Sequence, residues 1–328
     1  MFVATAQGFL DYSPVLNFTY RDLKSFINIP IEKGITARCY IERNRSGSNF
    51  LSPVYSLCAD LEDNTGREMI VCKKVLSSLS AHYVFSLKEE DLNRKREQRS
   101  KLYLGKLRGT DSIIKSNNEY ILYDYGNLSM PPGLYKSDKG SKGDEEEDDD
   151  AKPTPTIASS SEMEALSENS LYRKELMVAY YNTKKRPNPT PDKLRASEVC
   201  ISNPEFEEQI PILSSAFAKI RDDGTQNAVQ TKPYLILHER TSRYDPLSSC
   251  LVDFKGRGNT PSVKNAQFVE SIPMIDQLAS KSKDPEGKWV LQVAKFTPEC
   301  FNMDFRYPLS MFQAFAICIS RFDADLTW

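Results

Sequence analysis

The residues of this chain best suited to chemistry stand far apart. There are two histidines, His82 and His238, each inside a strand-like stretch (HYVFSL and LILHER), where a histidine satisfied within the structure is the simpler reading than a catalytic base. Seven cysteines, at 39, 58, 72, 200, 250, 300 and 318, are odd in number, scattered and without a CxxC pair. That pattern fits reduced thiols better than a disulfide framework or a zinc site. Cysteine nucleophiles need a base, and nothing in the sequence singles out a pair. The carboxylates of SLCADLED (Asp60, Glu62, Asp63) flank a turn signal and read as solvated side chains rather than metal ligands. The loop FKGRGNTPSVKN (Phe254–Asn265) combines glycines with Lys255, Arg257 and Lys264. Such a loop can form an anion nest, although a tight turn between strands explains it equally well. HExxH, GxSxG and P-loop patterns are absent. The residues therefore point to a non-enzyme that needs no cofactor and no metal.

The elements that must carry these residues are mostly strands. TARCYIER (Thr36–Arg43) alternates with period two, placing Ala37, Cys39 and Ile41 on one face. VYSLCADL (Val54–Leu61), MIVCKKV (Met69–Val75), HYVFSL (His82–Leu87), YILYDYG (Tyr120–Gly126), YLILHE (Tyr234–Glu239), SCLVDFKGR (Ser249–Arg257) and WVLQVAKF (Trp289–Phe296) continue the pattern, with Asn64-Thr65-Gly66 as a hairpin turn. Short strands at this spacing predict a sandwich or barrel, and the absence of strand–helix alternation argues against a parallel α/β sheet. The exception is LSMFQAFAICISRF (Leu309–Phe322), a helix-length run that is apolar on all sides. It is too short to cross a bilayer, which takes about 20 apolar residues, so it must be enclosed by protein.

Organisation and charge bound the function further. The 328 residues carry a net charge of −2, which supplies no global field for nucleic acid. Residues 1–25 read as a loosely docked N-terminal arm and residues 26–328 as one domain. Within that domain residues 136–170, with the acidic block Asp144–Asp150, have the composition of a disordered insertion. It is either a plain solvated loop or a regulatory segment around Ser159–Ser161. KEEDLNRKREQRSK (Lys88–Lys101) reads as an exposed helix or long loop. The first residues lack the features of a signal peptide, and no transmembrane segment is found.

Six segments, in order, resemble the tubby family. FINIPIEKGITARCYIER, YLGKLRG (Tyr103–Gly109), YILYDYG, LYRKELMVAYY (Leu171–Tyr181), FKGRGNTPSVKNAQF (Phe254–Phe268) and FNMDFRYPLSMFQAFAICISRFD (Phe301–Asp323) are each similar to a family motif, covering the chain from about Phe26. The resemblance implies a mainly β fold: a closed antiparallel barrel of about a dozen strands with the hydrophobic C-terminal helix at its centre. It also implies a monomeric, membrane-tethered adaptor that binds phosphoinositides, above all phosphatidylinositol 4,5-bisphosphate, at the cytoplasmic face of the plasma membrane. Cargo proteins or trafficking machinery would be its partners, and a role at the cilium or nucleus would be in keeping with the family.

The residues implied for the headgroup are Lys73 and Lys74, in the run after the strand ending in Cys72, with Lys106 and Arg108 of GKLR. The family's basic run is longer than the two lysines kept here, and this departure implies weaker or altered lipid preference. The C-terminal FDADLTW also departs from the family's usual FDGKLACE. Neither a basic amphipathic helix nor an F-box precedes the domain in this sequence. Two other readings remain at this point, a lipid-independent protein scaffold and a nuclear or transcription-associated regulator. The charge balance argues against DNA as the partner of the latter.

Overall fold

The computed structural model describes residues 2–61, 66–76, 81–94, 100–110, 117–126, 173–182, 197–206, 212–223, 233–240, 253–270 and 289–324. Within them lie the strands β1 (Thr36–Asn44), β2 (Val54–Asp60), β3 (Gly66–Lys74), β4 (His82–Ser86), β5 (Tyr103–Thr110), β6 (Asn117–Asp124), β7 (Glu175–Asn182), β8 (Ser197–Ser202), β9 (Tyr234–Glu239), β10 (Ala266–Glu270), β11 (Trp289–Lys295) and β12 (Cys300–Arg306). Each strand pairs antiparallel with its neighbour in sequence, and β1 pairs with β12, so the sheet closes into a barrel without a free edge. The expected barrel of about a dozen strands is thus observed. The alternation read in β1 is also observed: Ala37, Cys39 and Ile41 are fully buried and face the interior.

Helix α3 (Met311–Asp323) occupies that interior. Every residue from Met311 to Phe322 is buried except Gln313, which accounts for the missing polar face. Ser310 and Gln313 form a reciprocal capping box, satisfying two of the donors a helix start leaves open. Gln313 also donates to the Leu176 carbonyl at 2.9 Å, tying the helix to β7. Phe85 of β4 meets Phe312 and Phe315 edge-on, with ring centroids 5.3 and 5.7 Å apart. At the other end Tyr181 of β7 hydrogen-bonds Ser320 at 2.8 Å.

The N-terminal residues are not a loosely docked arm. Helix α1 (Tyr20–Asn28) starts at a Thr19–Asp22 capping box and buries Leu23 and Ile27. Leu10, Tyr12 and Val15 join the same core, and the Tyr12 hydroxyl lies 3.1 Å from the Cys39 sulfur. Burial of apolar side chains on an amphipathic face, at roughly 1.5–3 kcal/mol each, outweighs the mixed composition that suggested looseness. A further helix, α2 (Leu213–Asp223), packs Leu213 and Phe217 on the outside of β7 and β8 against Val178 and Cys200.

Two further expectations change. Of Ser249–Arg257, residues 249–252 lie outside the described set, and Asp253–Arg257 form a turn rather than a strand. Lys255 (φ 49°) and Gly256 (φ 80°) are left-handed there, a conformation that cannot continue a strand. Among the described residues of Lys88–Lys101, Glu89–Asp91 form a 3-10 turn and Asp91 is buried, accepting from the Ser100 amide at 3.0 Å, while residues 95–99 lie outside the described set. Residues 136–170 and the turn at Asn64-Thr65 lie outside the described residues.

Candidate functional site

Strand register decides where the four implied basic residues go. Lys73 of β3 and Lys106 of β5 both stand opposite Val84 of the intervening β4. Val84 belongs to a small apolar cluster with Val54, Val71, Leu92 and Tyr103, apart from the core around α3, so this row lies on the outer wall. Arg108 follows Lys106 by two residues and shares its face, opposite His82. Strands sit about 4.8 Å apart, so Lys73 and Lys106 are separated by roughly two strand spacings. Lys73, Lys106 and Arg108 thus converge on one outer patch.

Lys74 does not join them. Adjacent residues of a strand point to opposite faces, and Lys74 is opposite Tyr83, whose ring belongs to the interior. Its ammonium pairs with Asp323 at the end of α3, Nζ to Oδ1 at 2.7 Å. Tyr83 and Tyr120 donate their hydroxyls to the same carboxylate at 2.7 and 3.0 Å. Lys74 is therefore part of a polar seal over the barrel mouth. Within the outer patch, Lys73 donates to the Asn49 side chain at 3.0 Å, which ties the β1–β2 loop to β3. Lys106 is only 6% exposed, with its Nζ 5.7 Å from the Tyr123 ring centre, whereas Arg108 is partly exposed.

The Phe254–Asn265 loop is a structural staple, not an anion nest. Arg257 donates through Nε and Nη2 to Asp304 at 2.8–3.1 Å, through Nη1 to Asp60 at 2.8 Å and through Nη2 to the Cys39 carbonyl at 3.1 Å. It joins β1, β2 and β12. Asp60, expected to be solvated, is one of its partners. Lys264 donates to the Phe322 carbonyl at 2.6 Å, at the negative end of the α3 dipole. Burial, followed by the neighbouring Arg43, pulls its pKa down to about 8.

This shift has a readable consequence. Between about pH 8 and the ordinary lysine value of 10.5 the unfolded chain holds a proton that the folded chain has released, so Lys264 makes stability rise with pH across that window. Lys264→Met is expected to flatten this rise. Denaturant midpoints of both proteins at pH 7.5, 9 and 10.5 would show it, and parallel pH profiles would refute it.

The cysteines among the described residues are not poised for reaction. Cys39, Cys58, Cys72, Cys200 and Cys318 are buried, and burial pushes the thiols of Cys58 and Cys200 up to about 12, far from the thiolate form. Cys250 lies outside the described residues. Among the described residues no group of three or more His, Cys, Asp or Glu is placed to hold a metal, and no helix is long and apolar enough to cross a membrane.

A closed twelve-strand antiparallel barrel threaded by an apolar C-terminal helix defines the tubby class of fold. The sequence model of the Tub family matches residues 27–324, and the chain belongs to that family. Among curated proteins it is 26% identical to Tubby-like F-box protein 6 of Arabidopsis thaliana, over 92% of this chain and 70% of that protein. It is 25% identical to Tubby-related protein 3 of Mus musculus, over 93% of this chain and 55% of that protein. Against Tubby-related protein 2 of Mus musculus the identity is 23%, over 94% and 45% of the two chains. The chain thus spans about half the length of these two mouse relatives.

Proposed function

We propose that this domain binds phosphoinositides, phosphatidylinositol 4,5-bisphosphate in particular, and acts as a membrane-tethered adaptor in trafficking or signalling. The observation that supports it is the placement of Lys73, Lys106 and Arg108 on one outer face, near the end of the barrel that holds the α3 C-terminus. Arg108 supplies a planar fork suited to a phosphate, and Lys73 a point charge across β4 from it. Lys106, largely covered, acts through its field from beneath. Each cation near a membrane surface contributes about 1 kcal/mol, so two partly exposed cations give modest affinity unless the headgroup is gripped directly. Lys74, engaged with Asp323 at the rim, takes no part in gripping the headgroup. The bound membrane would lie on the cytoplasmic side, and cargo proteins would engage the remaining surface.

Vesicle flotation tests this reading. The wild-type chain is expected to float with vesicles containing phosphatidylinositol 4,5-bisphosphate and not with phosphatidylserine vesicles of matched charge. Lys73→Ala combined with Arg108→Ala should abolish that selectivity in a chain that still melts cooperatively, with some stability lost where Lys73 no longer holds the buried Asn49 side chain. Absence of selective flotation by folded wild-type protein would remove the lipid reading and leave the scaffold.

A further inference from the structure

The three most exposed large apolar side chains among the described residues are Leu51 (75%), Phe50 (72%) and Leu76 (61%). They are not scattered. Phe50 and Leu51 sit on the β1–β2 loop, just after the 3-10 turn Gly47–Asn49, and Leu76 follows the end of β3. The loop is fixed against that strand end: Ser52 donates to the Lys74 carbonyl at 2.6 Å, and Lys73 donates to the Asn49 side chain at 3.0 Å. Asn49 and Ser52 are buried while the two residues between them face solvent. An ordered loop that displays phenylalanine and leucine at its tip opposes the burial such side chains ordinarily seek.

The charge around the tip is predominantly positive, although Glu299 pairs with Arg43 and Asp323 with Lys74. No Asp or Glu occurs from Arg43 to Val54, nor from Met69 to Ser86, whereas Arg43, Arg45, Lys73 and Lys74 do. Arg45 is exposed beside the loop. Apolar tips inside a basic collar match the layering of an anionic bilayer, with hydrocarbon under negatively charged headgroups. A protein partner would have to supply the same two layers in the same order.

We propose that Phe50, Leu51 and Leu76 insert into the acyl-chain boundary of an anionic bilayer, while Lys73 and Arg108 on the adjacent wall hold a headgroup. This inference rests on the phosphoinositide reading and adds an orientation to it: the end of the barrel holding the α3 C-terminus faces the membrane. Insertion adds an apolar contribution that two partly exposed cations lack, compensating for the shortened basic run.

The test uses the full chain carrying Phe50→Trp or Leu51→Trp, with wild type as the blank for the native Trp289 and Trp328. Vesicles of phosphatidylcholine, phosphatidylserine and phosphatidylinositol 4,5-bisphosphate are added, with and without acyl-chain bromination. The new tryptophan is expected to shift to shorter wavelength and to be quenched by the brominated chains. The combined Phe50→Ala, Leu51→Ala, Leu76→Ala variant should bind these vesicles at least tenfold more weakly with an unchanged melt, since all three side chains are exposed. Selective flotation without shift or quenching overturns insertion and leaves the headgroup reading intact; the patch would then serve a protein partner. Absence of flotation by the wild type overturns both.

Discussion

Truncation before Pro308 will yield no soluble, cooperatively melting protein. The reason lies in what α3 replaces. Its 13 residues, at about 1.5 Å of rise each, fill a column roughly 20 Å long inside the sheet. Without it, inward residues from all around the wall, including Ala37, Leu57, Phe85, Leu122, Ala179 and Phe305, face a void. Cores tolerate few voids larger than a water molecule, and cavity cost grows with volume. A helix is also the one filler that satisfies its own backbone inside an apolar barrel. A milder version gives a number. Phe315→Ala, at a fully buried ring against Phe85, should cost about 3–5 kcal/mol in urea denaturation. A truncated chain with a sharp thermal transition would show that the strands close on their own.

The second large effect is expected at Arg321. This arginine is 2% exposed at the end of the central helix and pairs with Glu239 of β9 through two bonds of 2.9 and 2.7 Å. It also donates to the carbonyls of Val263, Lys264 and Asn265 at 3.0–3.1 Å. Arg321→Met leaves the Glu239 carboxylate buried with, among the described residues, Ser197 to donate to it at 2.6 Å, and three carbonyls lose a donor. Breaking a buried pair from one side costs about 3–5 kcal/mol. Pairing the change with Glu239→Leu should recover a large part of the loss, because the stranded charge is gone. A single variant as stable as wild type would mean that solvent reaches the carboxylate.

Much of this fold is legible in the sequence because its two periodicities are clean. Period two in Thr36–Arg43 gave both the strand and its inward face, and the all-round apolar run at Leu309–Phe322 could only be an enclosed helix. The failures have local causes. Helix α1 carries its start signal in Thr19 and Asp22, but its short amphipathic stretch merges into a mixed segment. Strand β8 (Ser197–Ser202) is six residues long and stands beyond a polar stretch, with too few alternations to declare itself. In SCLVDFKGR an apolar start suggested a strand where Lys255 and Gly256 in fact turn the chain.

The candidate site was half legible. Motif resemblance supplied Lys73, Lys74, Lys106 and Arg108, and strand alternation alone separates Lys74 from Lys73. Which of the two faces outward follows from register against Val84 and Tyr83, a long-range pairing that no local pattern contains. Asp323, which holds Lys74 across the barrel mouth, is 249 residues away in sequence. The partnership of Arg257 with Asp60 and Asp304 was hidden for the same reason.

That division of faces gives the most direct measurement. Single variants Lys73→Ala and Lys74→Ala, each checked for an intact melt, should be compared with wild type in flotation with phosphatidylinositol 4,5-bisphosphate vesicles and with charge-matched phosphatidylserine vesicles. A headgroup held on the outer wall predicts that Lys73→Ala loses most of the lipid selectivity while Lys74→Ala keeps it. Equal selectivity in all three proteins, or none in the wild type, would contradict a phosphoinositide site on this face.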